Sequence, residues 1–264
     1  MRAFIFGLFF LVNFASAYAQ VDTLVGVGSY KLHFRIIKGV EAPILFESGG
    51  GLDATQWDSI TTVLHKKLNA TIITYDRQGF GRSGLDTTRF NILNEIIDLE
   101  LALKRLGYAN KSKVLVCHSL GAFYSRLYAY RNPNLVKGIV MLDPRIPSYA
   151  DMKFARSIAT KLIRDNFSKD ELGLYYVLMQ MERNSDFLRL KTIPRYIPVV
   201  DIMAENGPFD SQDENLRFKS AQKNFINRRL RARLVLAKGS SHNIPHDQPA
   251  MVISEILKLY RKKY

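Results

Sequence analysis

Seven short runs dominated by apolar residues, YKLHFRII, PILFES, TIITYD, KVLVCHS, GIVMLD, IPVVDIM and RARLVLA, are separated by longer stretches with helical spacing. Several of the runs are too continuously apolar to leave one face in water, which is the pattern of strands covered on both sides. Helical stretches span Ile92 to Leu106, Leu120 to Arg131, Glu214 to Arg228 and Pro249 to Tyr260. This alternation predicts an α/β fold, a mainly parallel doubly wound sheet with helices on both faces. Ligands of such sheets gather at the carboxyl ends of the strands. A chain of 264 residues, 47% apolar, has enough material for one such domain.

One region breaks the alternation. From Pro147 to about Pro194 there is no strand-like run, while ADMKFARSIATKLIRDNF and KDELGLYYVLMQMERNSDFLRL carry apolar residues at three- and four-residue spacings. They predict a helical insertion between GIVMLD and IPVVDIM, packed above the sheet's carboxyl edge. Tyr175, Tyr176, Met179 and Met181 line a pocket there or serve as ordinary core.

The first segment, MRAFIFGLFFLVNFASAYAQ, has Arg2, then an apolar stretch, then small residues at Ala15, Ala17 and Ala19. This is the order of a secretory signal peptide over residues 1–19, cleaved after Ala19 or Ala17, so the protein is expected in a periplasm or the extracellular medium. The apolar stretch is short for a membrane span. Cys117 is the only cysteine, so no intramolecular disulfide forms. The formal charge is +14, or +13 once Arg2 is removed. Basic residues cluster in RFKSAQKNFINRRLRAR, Arg217 to Arg233. Two readings stand: a weak attraction to anionic membrane surfaces or polyanions, and a solvated helix face with Phe218 and Phe225 turned inward, which is favoured. No nucleic-acid-binding module accompanies the charge.

Serine needs a base to take its proton, a group that orients the base, and amides that receive the developing oxyanion. Ser119 lies where the run Val114 to Cys117 meets the helical segment opening at Leu120, with Gly121 as a small neighbour. Cys117 stands where a second glycine is usual; it is also an alternative nucleophile, though a buried thiol is more often inert. His118 is read as structural. His242, in RLVLAKGSSHNIPHDQP, follows the last run on the same sheet edge and is the favoured base, with Pro245 interrupting any helix between it and His246. Two carboxylates compete as the orienting acid. Asp143 ends GIVMLD and is placed ahead of Glu205, which follows IPVVDIM. The glycines of ESGGG, after PILF, let backbone amides turn toward a ligand. The amide of Gly50, with Gly51 as alternative, pairs with that of Leu120 in an oxyanion hole.

With ESGGGLDATQW, YDRQGFGRSG, VCHSLGAF, NPNLVKGIVMLDP and GSSHNIPHDQP in that order, the chain resembles the α/β-hydrolase superfamily over nearly all of residues 20–264. The resemblance implies Ser119 as nucleophile, His242 as base, a structural role for Asp76, Arg77 and Gly81, and a helical cap over about 145–195 between the sixth and seventh strands of the sheet. Many members carry the acid after the seventh strand; here Gly207 stands near that position, which supports Asp143 and leaves Glu205 open. The expected activity is that of a serine hydrolase acting on a small-molecule carboxylic ester or similar acyl compound, with no cofactor or metal. Amide, lactone or carbon-carbon hydrolysis, acyl transfer, and noncatalytic binding on the same scaffold are the alternatives, because fold does not choose the reaction.

Overall fold

The computed structural model describes residues 20–262, and the signal-peptide segment 1–19 lies outside them. Eight strands form one sheet: β1 (Gln20–Gly26), β2 (Lys31–Ile37), β3 (Glu41–Glu47), β4 (Ala70–Tyr75), β5 (Lys113–His118), β6 (Val136–Leu142), β7 (Val199–Ala204) and β8 (Ala232–Ala237). Their spatial order is β1-β2-β4-β3-β5-β6-β7-β8. β3 to β8 run parallel, while β2 pairs antiparallel with both β1 and β4. The helices are α1 (Asp58–Leu68), α2 (Ile92–Arg105), α3 (Gly121–Arg131), α4 (Tyr149–Ala159), α5 (Leu172–Arg189), α6 (Gln212–Asn227), α7 (Ile244–Asp247) and α8 (Pro249–Arg261). Among the described residues no helix is long and apolar enough to cross a membrane.

The central strands are apolar without alternation because both faces are covered. Every residue of β4, β5 and β7 is buried. On β5, Leu115 and Cys117 face the core shared with α2, α3 and the inserted helices, whereas Val114 and Val116 face the core shared with α1 and α8. Helix starts are set by side-chain caps. Asn91, Ser148 and Ser211 accept the third helical amide of α2, α4 and α6, satisfying a donor that has no partner within the helix. Asn69 ends α1 in the left-handed conformation.

β1 is absent from the seven sequence runs. QVDTLVG is an edge strand whose residues are mostly exposed or half-buried, so it lacks the apolar continuity that marks the centre of the sheet. The insertion between β6 and β7 is helical, as expected, and consists of α4 and α5 with two short 3-10 turns. It is seated on the core at Gly173. A Cβ there would lie 2.2 Å from the carbonyl oxygen of Gly79, in the loop after β4, so only glycine allows the approach. Within the insertion Met181 is core and Met179 is exposed, while Tyr175 packs against Phe167 and Tyr176 against Phe90.

A buried polar network lies under the loops at the carboxyl edge. Tyr75 donates to Glu47, Tyr124 donates to Glu95 at 2.9 Å, and the Arg77 guanidinium stacks 4.8 Å over the Tyr124 ring. Burial pushes the Glu95 carboxyl up to about 8 and that of Glu47 up to about 7, against the opposing pull of Arg77. Both bind a proton more readily in the fold than in the unfolded chain. Their contribution to stability is therefore complete below about pH 4.5 and is lost as pH rises through 7 to 8. Urea unfolding of wild type and Glu95→Gln at pH 5.5 and 8.5 checks this. The neutral glutamine should gain on wild type by roughly 2–3 kcal/mol at the higher pH, and equal differences at both values would contradict the account.

Candidate active site

Ser119 follows β5 directly and has φ of 50°, one of three non-glycine residues in the left-handed region among those described. The turn is bound on both sides: Ser119 donates its amide to Leu142 O at 2.9 Å, and its carbonyl accepts from Arg145 N at 3.0 Å and Ala122 N at 3.1 Å. Such a conformation costs on the order of 1–3 kcal/mol and persists only where the surroundings over-determine it. The small neighbour is required at Gly121, where a Cβ would lie 2.6 Å from the carbonyl oxygens of Glu47 and Ser48. Cys117 is fully buried below the turn, and burial raises its thiol far above the ordinary range, which disfavours the thiolate a nucleophile needs.

Asp143, at the end of the adjacent β6, has φ of 41° and is fully buried. Its Oδ2 stands 2.6 Å from His242 Nδ1. Its Oδ1 accepts from Ala204 N at 3.2 Å and from Gln222 Nε2, on α6, at 2.9 Å. With Nδ1–H directed at the carboxylate, His242 Nε2 is left as the acceptor. The structure does not bring Glu205 to His242. The Glu205 side chain is exposed and accepts from Gly239 N at 2.6 Å, bracing the loop after β8.

The His242 loop is fastened at two further points. Asp247 accepts from the amide and hydroxyl of Ser241 at 2.8 and 2.6 Å. His118 Nε2 donates to the carbonyl of His242 at 2.8 Å, and its Nδ1 accepts from Gln56 Nε2 at 2.7 Å. Gln56 Oε1 in turn accepts from Gly49 N at 2.9 Å. Gln56 and His118 thus form a bridge from the glycine loop to the His242 loop. Burial and neighbouring His242 depress His118 to about 3, so it stays neutral and keeps the tautomer the bridge needs. His246 does not join the site; it pairs with Asp247 at 3.1 Å. As the sequence suggests, no helix joins His242 to His246, because α7 starts only at Ile244. Pro245 sits inside the first turn of α7, where its missing N–H is not needed.

The glycine loop meets the start of α3. Arg77 donates to the carbonyls of Ser48 and Gly49, both at 2.5 Å, drawing the loop's acceptors inward. Among the described residues no acceptor is bonded to the amides of Gly50, Gly51 or Leu120. A Cβ on Gly50 would lie 3.4 Å from Leu120 Cδ2, so the two segments carrying these amides are in contact. Ser119 and His242 are both half-buried. Sequence reasoning gave no role to Gln56 or Gln222. Their amides lie on helical turns far along the chain, and no spacing rule links them to the serine.

Solved structures with the same architecture include a Vigna radiata epoxide hydrolase mutant, with a TM-score of 0.71 and 14% identity over 92% of this chain and 99% of that one. Another is a thermophilic esterase from Thermogutta terrifontis, at 0.66 and 17% over 92% and 98%. The uncharacterized protein YqjL of Bacillus subtilis is 26% identical over 230 residues, 87% of each chain. The model of the alpha/beta hydrolase family matches residues 44–255, from within β3 to the middle of α8, and this chain belongs to that family.

Proposed function

We propose that this chain is an exported serine hydrolase that cleaves a carboxylic ester or related acyl compound through an acyl-enzyme. The observation that carries the reading is the strained Ser119 turn beside the 2.6 Å contact of Asp143 with His242 at the end of the neighbouring strand. In this reading Ser119 Oγ attacks the substrate carbonyl carbon while His242 Nε2 takes its proton. The carbonyl oxygen, now an oxyanion, is received by the unoccupied amides of Gly50 and Leu120. As the intermediate collapses, His242 returns the proton to the leaving oxygen. Water then repeats the sequence on the acyl-serine, and Asp143 holds the imidazole in one tautomer throughout. Epoxide opening through a covalent ester calls for a carboxylate nucleophile, and this chain presents a hydroxyl there.

The test is intact mass after exposure to a serine-reactive fluorophosphonate. Wild type should gain one adduct and Ser119→Ala none. His242→Ala and Asp143→Asn should react slower by about 100-fold or more, and Glu205→Gln within about twofold. Labelling that survives in Ser119→Ala would remove the serine from its role, and slow labelling confined to Glu205→Gln would move the acid.

Stability gives a second measure of the Ser119 turn. Glycine normally costs up to about 1 kcal/mol relative to alanine through the unfolded state, but at φ of 50° it also relieves strain. Ser119→Gly should therefore unfold at or above the temperature of Ser119→Ala. A clearly less stable glycine variant would mean that the turn is relaxed.

Export is tested by the mass of protein recovered from the periplasm or medium of a host producing the full chain. It should begin at Gln20 or Tyr18. Recovery only with residues 1–19 attached would overturn the proposal.

A further inference from the structure

The basic segment Arg217 to Arg233 does not end as a plain solvated face. Part of it walls a half-open cavity of about 660 Å³ between α6, the start of α4 and the segment after α5. Ser119, His242 and the glycine loop are not among its walls. Six arginines are: Arg126, Arg189, Arg195, Arg217, Arg228 and Arg229, with no aspartate or glutamate. Two of them have carboxylate partners, Arg189 with Asp186 and Arg217 with Glu214 and Asp151. Among the described residues the other four have none.

Arg126 is the critical member. It is only 7% exposed, and its Nε donates to the carbonyls of Leu188 and Lys191 at 3.1 and 2.6 Å. Arg229 spends Nη1 and Nη2 on the carbonyls of Ile193, Pro194 and Ile197 at 2.8–2.9 Å, leaving a buried Nε unbonded. Arg217 likewise keeps a buried Nη2 without a partner. Carbonyls satisfy hydrogen bonds but do not cancel charge. Burial, with Arg229 alongside, pulls Arg126 down to about 10, the mark of a cation held without a counter-ion. A buried cation such as Arg126, left without a counter-charge, is costly, and an anion entering the cavity would offset that cost.

The rest of the wall narrows the anion. Ile146, Pro147, Ile193 and Phe225 give an apolar surface, and Ser148, Thr192 and Asn224 add neutral polar groups. We propose that this cavity binds the phosphoryl group of an organic phosphate, with the organic part on the apolar wall. Several forked cations around one space suit a dianionic tetrahedral group better than a single carboxylate. The size lies within the range of small-molecule sites. The site stands independently of the role given to Ser119, and its ligand is a free phosphomonoester or the headgroup of a phosphomonoester lipid.

Binding of phenyl phosphate to the full folded protein, followed by calorimetry at low ionic strength, tests the proposal, with benzyl alcohol as the uncharged counterpart. The variant Arg195→Gln/Arg228→Gln removes two exposed cations that brace no backbone, so its unfolding temperature should match wild type. Lys104→Gln/Lys111→Gln removes equal charge on another face. Wild type and the lysine variant should bind phenyl phosphate alike, the arginine variant about tenfold or more weakly, and none should bind benzyl alcohol. Vesicles of phosphatidylcholine containing phosphatidate form the second arm. Binding to them with the same arginine dependence, but not to phenyl phosphate, assigns the phosphoryl group to a lipid. Absence of binding in both arms up to about 10 mM ligand, or equal weakening by the two double variants, overturns the site.

Discussion

Two backbone turns in the left-handed region, at Ser119 and Asp143, govern the arrangement of the site. They stand at the ends of neighbouring parallel strands, and in each the sheet ladder runs one residue past the strand. Ser119 N–H reaches Leu142 O, and Asp143 N–H reaches Ile202 O. Each strained residue is thus hydrogen-bonded to the next strand while its side chain is lifted above the edge. Strain of this kind persists because the order β5-β6-β7 holds it from both sides. An aspartate tolerates the left-handed region better than most residues, which makes β6 a cheaper place for the second turn than an apolar residue would allow.

The turns would collapse without packing beneath and beside them. Gly49 has no room for a side chain because a Cβ would lie 2.6 Å from His118 Nδ1. That space is filled by the bridge from Gly49 through Gln56 and His118 to the His242 carbonyl. Beneath the glycine loop, the buried Arg77 turns the carbonyls of Ser48 and Gly49 inward. Asp76 fixes the adjoining loop, accepting from Ala54 N and Arg82 N at 2.8 Å each, and Gly81 closes over its carboxylate, where a Cβ would lie 2.2 Å away. These contacts span separations of many residues, so the parts hold one another rather than following from local propensity.

What the sequence made legible follows from this division. The strands with two covered faces declared themselves by unbroken apolar runs, and the insertion by its helical spacing between β6 and β7. The half-exposed edge strand β1 carries too weak a pattern to be seen. The chain order of serine, acid and histidine placed Ser119, Asp143 and His242 on one sheet edge. It left Glu205 in contention because both strand ends are within reach of a histidine loop. Only the fold shows that Glu205 braces Gly239 instead. Gln56, Gln222 and the bridging task of His118 were hidden, since an amide on a helix carries no local mark of the carboxylate or imidazole it touches.

Helix α6 shows why a charge run is a poor guide to what a helix does. Gln222 sits four residues after Phe218, so both lie on the face that meets the His242 pair: the glutamine reaches Asp143, and the phenyl ring lies 5.9 Å from the imidazole. Arg217, Ala221, Asn224 and the adjoining Arg228 follow the neighbouring stripe and face the arginine-lined cavity. The Arg217 guanidinium stacks over Phe154 and Phe209, and Phe209 packs edge-on against Phe218. One helix therefore holds Asp143 with one stripe and walls a cationic cavity with the next. An amphipathic reading divides a helix into an inside and an outside. Here the polar stripe is itself divided between open solvent and a half-open cavity, and that distinction exists only once the helices inserted between β6 and β7 have been brought against it.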